Sequence, residues 1–92
     1  MIVSFAHKGL EAFFHTGTTR GIQAQHATRL RLVLDLLDAA SVPEDMNFPG
    51  SAFHGLKGKR KHLYAVKISG NWRVVFAFEN GNAHVVDYLD YH

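Results

Sequence analysis

The dipeptide Asn80-Gly81 constrains the fold of this chain more than any other feature. It separates two mostly apolar runs, 72–79 and 83–89. Asn-Gly favours a type I′ turn because both central residues of that turn need a positive φ angle. We therefore predict an antiparallel hairpin with a two-residue loop. A second turn, at 69–71, adds a strand over 63–68 and completes a three-strand meander.

The two-residue loop predicts the register of the hairpin, in which Glu79 pairs with Asn82 and Arg73 pairs with Tyr88. Side chains alternate between the two faces of a strand, so this register assigns every residue to a face. One face is the predicted core, and it consists of Trp72, Val74, Phe76, Phe78, Val85, Asp87 and Leu89. Asp87 is an awkward fit on this face because it is charged. The other face is predicted to be exposed, and it holds Arg73, Val75, Tyr88 and Asp90.

The N-terminal half shows helical periodicity instead. Apolar residues spaced three and four apart predict a short helix over 7–14 and a longer helix over 23–40. Residues 1–6 are predicted to form a strand, and Ser41 with Glu44 resembles a capping box for one further helical turn. The sequence thus predicts an α+β fold, in which two N-terminal helices pack on a mostly antiparallel sheet. At 92 residues the chain forms a single domain, 1–92.

Composition excludes several classes of function. The chain contains no cysteine, which rules out disulfides and thiolate chemistry and fits a reducing compartment. No apolar run approaches the roughly 18 residues of a membrane span. The first residues lack the basic, apolar and small-residue parts of a signal peptide. We therefore expect a cytoplasmic protein that does not bind membranes.

Positive charge is concentrated in the C-terminal half. Residues 51–92 hold six Lys and Arg residues against three Asp and Glu, whereas residues 1–50 hold four against five. Four of the basic residues are Lys57, Lys59, Arg60 and Lys61. Such a cluster attracts a polyanion. The alternative is a solvated basic loop, which the charge run alone favours.

The predicted meander brings three segments together. These segments carry groups suited to RNA cleavage by the 2′-hydroxyl of the RNA itself. That reaction needs a base, a cation beside the phosphate and an acid for the departing 5′ oxygen, but no metal or cofactor. The acid–base candidates are His54, Asp90, Tyr91 and His92. The cationic candidates are Lys57, Arg60 and Arg73, and Tyr88 or Tyr91 could stack on an unpaired base.

Composition and spacing alone favour a plain basic binding surface over an RNase site. A single histidine is more often structural than catalytic, and His15, His26, His62 and His84 are interpreted as structural or exposed. None of the histidines has the spacing of a metal site. Arg73 could serve only to pair with Asp90.

The same segments resemble the HigB-type toxins of bacterial type II toxin–antitoxin modules, within the RelE/ParE superfamily. The resemblance extends over essentially the whole chain. It is carried by residues 2–10 and 16–25, by His54-x-Leu56-Lys57-Gly58-x-Arg60, by Asn71-Trp72-Arg73-Val74-x-Phe76-x-Phe78 and by Asp90-Tyr91-His92. It implies a small α+β domain, ribosome-dependent cleavage of mRNA in the decoding site, and a HigA-type helix-turn-helix antitoxin. The pair would repress its own operon, so the toxin would meet operator DNA through the antitoxin.

The resemblance also implies a set of site residues. The catalytic positions would be His54, Lys57, Arg73, Asp90, Tyr91 and His92. The basic loop, Lys59, Arg60 and Lys61, would dock on ribosomal RNA. Gly55 and Gln23 stand where relatives carry proline, which affects loop rigidity and removes no functional group. Two alternatives stay open: a ParE-like toxin that inhibits a protein such as gyrase without cutting RNA, and a degenerate toxin that serves as a co-repressor.

Overall fold

The computed structural model describes residues 1–60 and 62–91, so predictions for Lys61 and His92 lie outside the described residues. Two helices, α1 (Lys8–Thr16) and α2 (Ala27–Ala39), pack on an antiparallel sheet. Its strands follow chain order: β1 (His54–Gly55), β2 (Leu63–Ser69), β3 (Trp72–Glu79) and β4 (Asn82–Asp90). Short 3₁₀ turns occur at Ala24–His26, Pro43–Met46 and Gly58–Arg60. The predicted α+β fold is confirmed.

Both predicted helices are present, with defined ends. Helix α1 starts after His7, whose Nδ1 accepts the backbone N–H of Leu10 at 3.0 Å. It ends at Gly17, whose φ of 81° is a left-handed conformation that glycine adopts without steric cost. Arg31 of α2 donates to the Phe13 carbonyl at 2.8 Å. The arginine therefore satisfies a carbonyl at the end of α1 and joins the two helices.

The turn after α2 is capped differently from the prediction. The Asp45 carboxylate, rather than that of Glu44, accepts the N–H groups of Ser41 and Val42, at 2.8 and 3.3 Å. The reason is that the turn begins one residue later than predicted, at Pro43. The third position of the turn, from which a carboxylate reaches back to the cap, is thus Asp45.

The N-terminal segment joins the sheet without forming the predicted regular strand. It makes two isolated parallel bridges to β4, Ile2 with Ala83 and Phe5 with Val86. The N–H groups of Val3 and Ala6 donate to the carbonyls of Ala83 and Val86 at 2.9 and 2.8 Å. This segment therefore covers the edge of β4 that β3 leaves unpaired.

The hairpin between β3 and β4 has the predicted turn but contains a bulge. Asn80 and Gly81 have φ angles of 52° and 79°, as a type I′ turn requires, and Glu79 pairs with Asn82. Val85, with a φ of 47°, adds one residue to β4. Arg73 consequently pairs with Leu89, and the predicted pairing of Arg73 with Tyr88 is wrong.

The bulge exchanges the faces of every β4 residue beyond it. Tyr88 pairs with Val74 and Asp90 pairs with Trp72, so both lie on the face that packs against the helices. The predicted grouping of Tyr88 and Asp90 with Arg73 is therefore wrong. Asp87, the residue that did not fit the predicted core, pairs with Val75 on the opposite face, so no carboxylate from that position enters the core.

The core lies between the two helices and this inner face of the sheet. Leu10, Leu30, Leu34 and Leu37 from the helices are fully buried, as is Phe76 from β3. Full burial of one such side chain contributes roughly 1.5–3 kcal/mol. The two helices thus cover one face of the sheet and do not cover the other.

We predict that Gly21→Ala strongly destabilises the fold. A Cβ atom at Gly21 would lie well inside van der Waals distance of the Gly9 backbone in α1, so the loop would have to move. We expect a loss of about 1–3 kcal/mol in the free energy of unfolding, measured by urea denaturation. The matched control is Gly55→Ala, whose new Cβ would make ordinary contact with Tyr64 at 4.0 Å. Equal loss in both variants would contradict the close approach.

We predict that Val85→Asn stabilises the protein. A β-branched residue with a φ of 47° is strained, whereas asparagine tolerates the left-handed region. We expect the free energy of unfolding, measured by thermal denaturation, to increase by about 1 kcal/mol. Val3→Asn is the control because Val3 is exposed to a similar degree, 46% against 48% for Val85, and is not among the residues with positive φ. Stabilisation by Val3→Asn alone would refute the interpretation.

Candidate functional site

The face of the sheet that points away from the helices, here called the distal face, combines small apolar residues with charged ones. One row across the four strands consists of His54, Ala65, Val75 and Asp87. Paired residues of adjacent strands project to the same side. Ala65 and Val75 are buried, with exposed fractions of 0% and 3%. The row therefore has an apolar centre, with His54 at one end and Asp87 at the other, about 14 Å apart by strand spacing.

The next row on the distal face supplies positive charge. Lys67, Arg73 and Leu89 pair across β2, β3 and β4. Nη1 of Arg73 donates to the carbonyls of Gly70 and Trp72 at 2.7 and 3.1 Å. These bonds tie the guanidinium to the turn between β2 and β3. Arg73 is thereby a cation with a fixed position, which is the kind of group that stabilises charge developing on a phosphate.

The predicted basic loop borders the distal face on the β1 side. His54 is exposed, and its Nδ1 is 2.9 Å from the Ala52 carbonyl, which orients the ring. Lys57, Lys59 and Arg60 are exposed on the segment that joins β1 to β2. These three basic side chains are thus accessible to a large anion, and binding of a polyanion stays a prediction.

The end of the described chain is held against both the sheet and the basic loop. The Tyr91 N–H donates to the Asn71 carbonyl at 2.8 Å, one step beyond the pairing of Asp90 with Trp72. The guanidinium carbon of Arg60 lies 5.3 Å from the centre of the Tyr91 ring, within cation–π range. The Arg60 side chain of the basic loop therefore contacts the C-terminal segment, which is itself bonded to the turn before Arg73.

Tyr88, predicted to contact RNA, is instead a buried residue. It is 3% exposed, and its hydroxyl group lies 2.5 Å from Nδ1 of His26. Burial raises the pKa of the Tyr88 phenol; a hydrogen bond with the Gln23 backbone lowers it, and the Asp90 carboxylate adds to the increase. The bulge at Val85 is the reason, since it turns Tyr88 inward. Tyr88 is therefore unable to stack on a base.

His26 is the residue of this region that sequence reasoning did not single out. It is 6% exposed and contacts both Trp72 and Tyr88, with ring centres 5.5 and 6.0 Å apart. No local motif distinguishes it from the exposed histidines, because its environment comes from β3 and β4, far along the chain. Only the correct register would have revealed it.

Neither a metal cluster nor a membrane helix was found in the part of the chain that the structure describes. Among residues 1–60 and 62–91, no group of three or more His, Asp or Glu side chains is arranged to hold a metal ion. None of the described helices is both long and apolar enough to cross a bilayer. Catalysis without a metal or cofactor stays a prediction.

Comparison with known proteins identifies the class to which this fold and site belong, the RelE-like toxins of type II toxin–antitoxin systems. A family model described as the RelE-like toxin of the type II toxin–antitoxin system HigB matches residues 3–92. The Endoribonuclease HigB of Proteus vulgaris is 39% identical over 92 residues, covering all of both chains. Toxin HigB-1 of Vibrio cholerae serotype O1 is 31% identical, covering 100% of this chain and 98% of the relative.

The chain therefore belongs to the HigB family of toxins. The resemblance drawn from the sequence is confirmed over the full length. Membership of a type II toxin–antitoxin family implies an antitoxin partner.

We predict that the stability contributed by the Tyr88 hydroxyl group is lost at high pH. Because the pKa of this group is raised in the folded protein, folding favours the neutral phenol. The contribution is complete below the unfolded pKa of about 10 and declines as pH rises from there through the folded pKa. The difference in unfolding free energy between the wild type and Tyr88→Phe should therefore shrink above about pH 10. A constant difference from pH 7 upward would contradict this assignment.

Proposed function

We propose that this chain is a ribosome-dependent endoribonuclease that cleaves mRNA in the decoding site and so inhibits translation. The contact between Arg60 and Tyr91 carries the proposal, because it joins the basic loop to the C-terminal segment beside Arg73. Neither a plain basic surface nor a solvated loop needs that convergence. A full-length relative bearing the name Endoribonuclease HigB supports the same reading.

The proposed reaction is attack of the ribose 2′ oxygen on the adjacent phosphorus. A bond forms between the 2′ oxygen and phosphorus, and the bond from phosphorus to the 5′ oxygen breaks. A base removes the 2′ proton and an acid gives a proton to the departing 5′ oxygen. We assign this acid–base work to Asp90 and His92, with assistance from His54. Coupled groups titrate together, so the division of roles follows only from the assembled site.

Positive charge would stabilise the transition state, in which the phosphorane carries extra negative charge. Lys57 is exposed and carries its charge on a flexible four-carbon stem, whereas Arg73 is anchored by two carbonyls. A guanidinium also grips phosphate oxygens in a fork, which an ammonium does not do. The two cations would therefore act differently, Lys57 in capture and Arg73 in orientation.

Tyr91 would stack on a base of the mRNA or orient the nucleotide. Its ring is half-buried and faces Arg60, and an exposed cation–π contact contributes about 0.5–1 kcal/mol. This is enough to bias the ring towards one orientation. Base stacking on aromatic side chains is how proteins commonly read unpaired RNA.

Larger partners would bind around this site. The basic loop, Lys59 to Lys61, would dock on ribosomal RNA of the small subunit through phosphate contacts. We also propose that the antitoxin is of the HigA type, with a helix-turn-helix domain that links the toxin to operator DNA. We propose a cytoplasmic location for the same reason, since both partners would be met there.

We predict that removing Tyr91 and His92 abolishes cleavage while leaving the fold intact. Loss of a positioned acid–base group typically costs 10²–10⁴-fold in rate, so we expect a loss of about 100-fold or more. Translating ribosomes are incubated with purified protein, and the mRNA cut sites are mapped by primer extension.

Lys57→Ala should also lose activity in this assay. Its matched control is Lys8→Ala, because Lys8 is a lysine on α1.

The same assay separates the alternatives. Full activity and unchanged cut sites in the truncated variant would refute the assignment of the C-terminal segment. Intact mRNA together with damaged DNA in cells expressing the wild-type protein would favour the ParE-like alternative. Intact mRNA and intact DNA would leave the co-repressor alternative.

A further inference from the structure

The buried pair of His26 and Tyr88 lies directly behind the proposed site. Its histidine belongs to the 3₁₀ turn before α2, whereas its tyrosine belongs to β4, two residues before Asp90. The two side chains are connected by a hydrogen bond of 2.5 Å, and both are more than nine-tenths buried. Burying such polar groups is costly unless the bond between them is made. The pair thus links two distant parts of the chain in one defined geometry.

Trp72 extends this link to the end of β4. Its ring centre is 4.5 Å from that of Tyr88 and 5.5 Å from that of His26. Trp72 is also the residue opposite Asp90 in the sheet, and its neighbour Asn71 accepts the N–H of Tyr91. The three rings therefore form a support beneath the final residues of the strand.

We propose that His26, acting through the Tyr88 hydroxyl group, is a positioning residue for Asp90 and Tyr91. This inference rests on the proposed function, since it assigns the pair a role in RNA cleavage. The hydrogen bond fixes where β4 ends relative to the helices, and packing of Trp72 transmits that position to Asp90. A shift of about 1 Å in a catalytic group can cost about 100-fold in rate, so a rigid support has a direct effect on chemistry.

Packing alone is a weaker explanation for this pair. Apolar side chains at both positions would fill the same space without a polar group to satisfy, and replacing both partners of a buried hydrogen bond in this way can be nearly neutral for stability. What an apolar pair lacks is direction, because dispersion contacts do not fix the rotation of a ring as a hydrogen bond does. The pair would therefore matter for the placement of the strand end more than for the stability of the core.

Amide hydrogen exchange tests the structural half of the inference. In Tyr88→Phe and in His26→Phe, exchange of the Tyr91 amide should accelerate about tenfold relative to the Leu56 amide, which bonds Leu63 at the other edge of the sheet. His26→Gln, which can still bond the hydroxyl group, should restore protection. Uniform acceleration of both amides would show a merely structural role and would overturn the inference.

Single-turnover cleavage on programmed ribosomes tests the functional half. Tyr88→Phe and His26→Phe should each lower the rate at saturation about tenfold and leave the half-saturating concentration within about twofold. The double variant should be no slower than Tyr88→Phe alone, because Tyr88→Phe already breaks the bond to His26. Tyr64→Phe is the matched control. Tyr64 lies on the same inner face of the sheet, where it stacks on Phe53 and Phe76.

The outcomes separate this inference from the proposed function. If the wild type cleaves mRNA and the variants retain its rate, the inference is overturned and the proposed function stands. If the wild type leaves mRNA intact, the proposed function fails, and the role of the pair in cleavage fails with it. In that case the exchange data alone decide whether the pair holds Asp90 and Tyr91 in place.

Discussion

The left-handed backbone at Val85 is the constraint on which the rest of the sheet depends. It adds one residue to β4, so that the strand presents Tyr88 to the helices and Asp87 to the distal face. The N–H of Val85 donates to Oγ of Ser4 at 2.8 Å, which satisfies a group that the bulge removes from the ladder. The hydrogen bond with the N-terminal segment therefore offsets part of the backbone strain at Val85.

Much of the fold could be predicted from local signals. Asn80-Gly81 specifies its own turn, and the helices follow from apolar spacing, so the hairpin turn and both helices appeared where expected, whereas the strand over 1–6 did not. The bulge could not be predicted in this way. Val85 carries no sequence signal for a positive φ, because a β-branched residue normally avoids it. The group that accepts its N–H, Ser4, lies far away in the chain. One unpredicted residue then reversed the face of every residue after it, which is why Tyr88 was wrongly placed on the exposed side.

The roles of the candidate site residues stay predictions, although the register on which part of the site was argued is wrong. His54 lies in the row of Ala65 and Val75, whereas Arg73 and Tyr91 lie beside the turn between β2 and β3. Charge and exposure could be read from residue type. The contact of Arg60 with Tyr91 and the anchoring of Arg73 by Gly70 and Trp72 could not, since they depend on side-chain directions in a loop and a turn.

The pairing of residues 2–5 with β4 has a consequence for the order in which the molecule assembles. The bridges from Ile2 to Ala83 and from Phe5 to Val86 close loops of about eighty residues, and contacts so distant in sequence form late because their loop entropy is lost before they stabilise anything. The contacts of β4, the strand that bears Asp90, with the N-terminal segment are thus expected to form late in folding. Under the proposed function, Asp90 would reach its final position only after these bridges have closed.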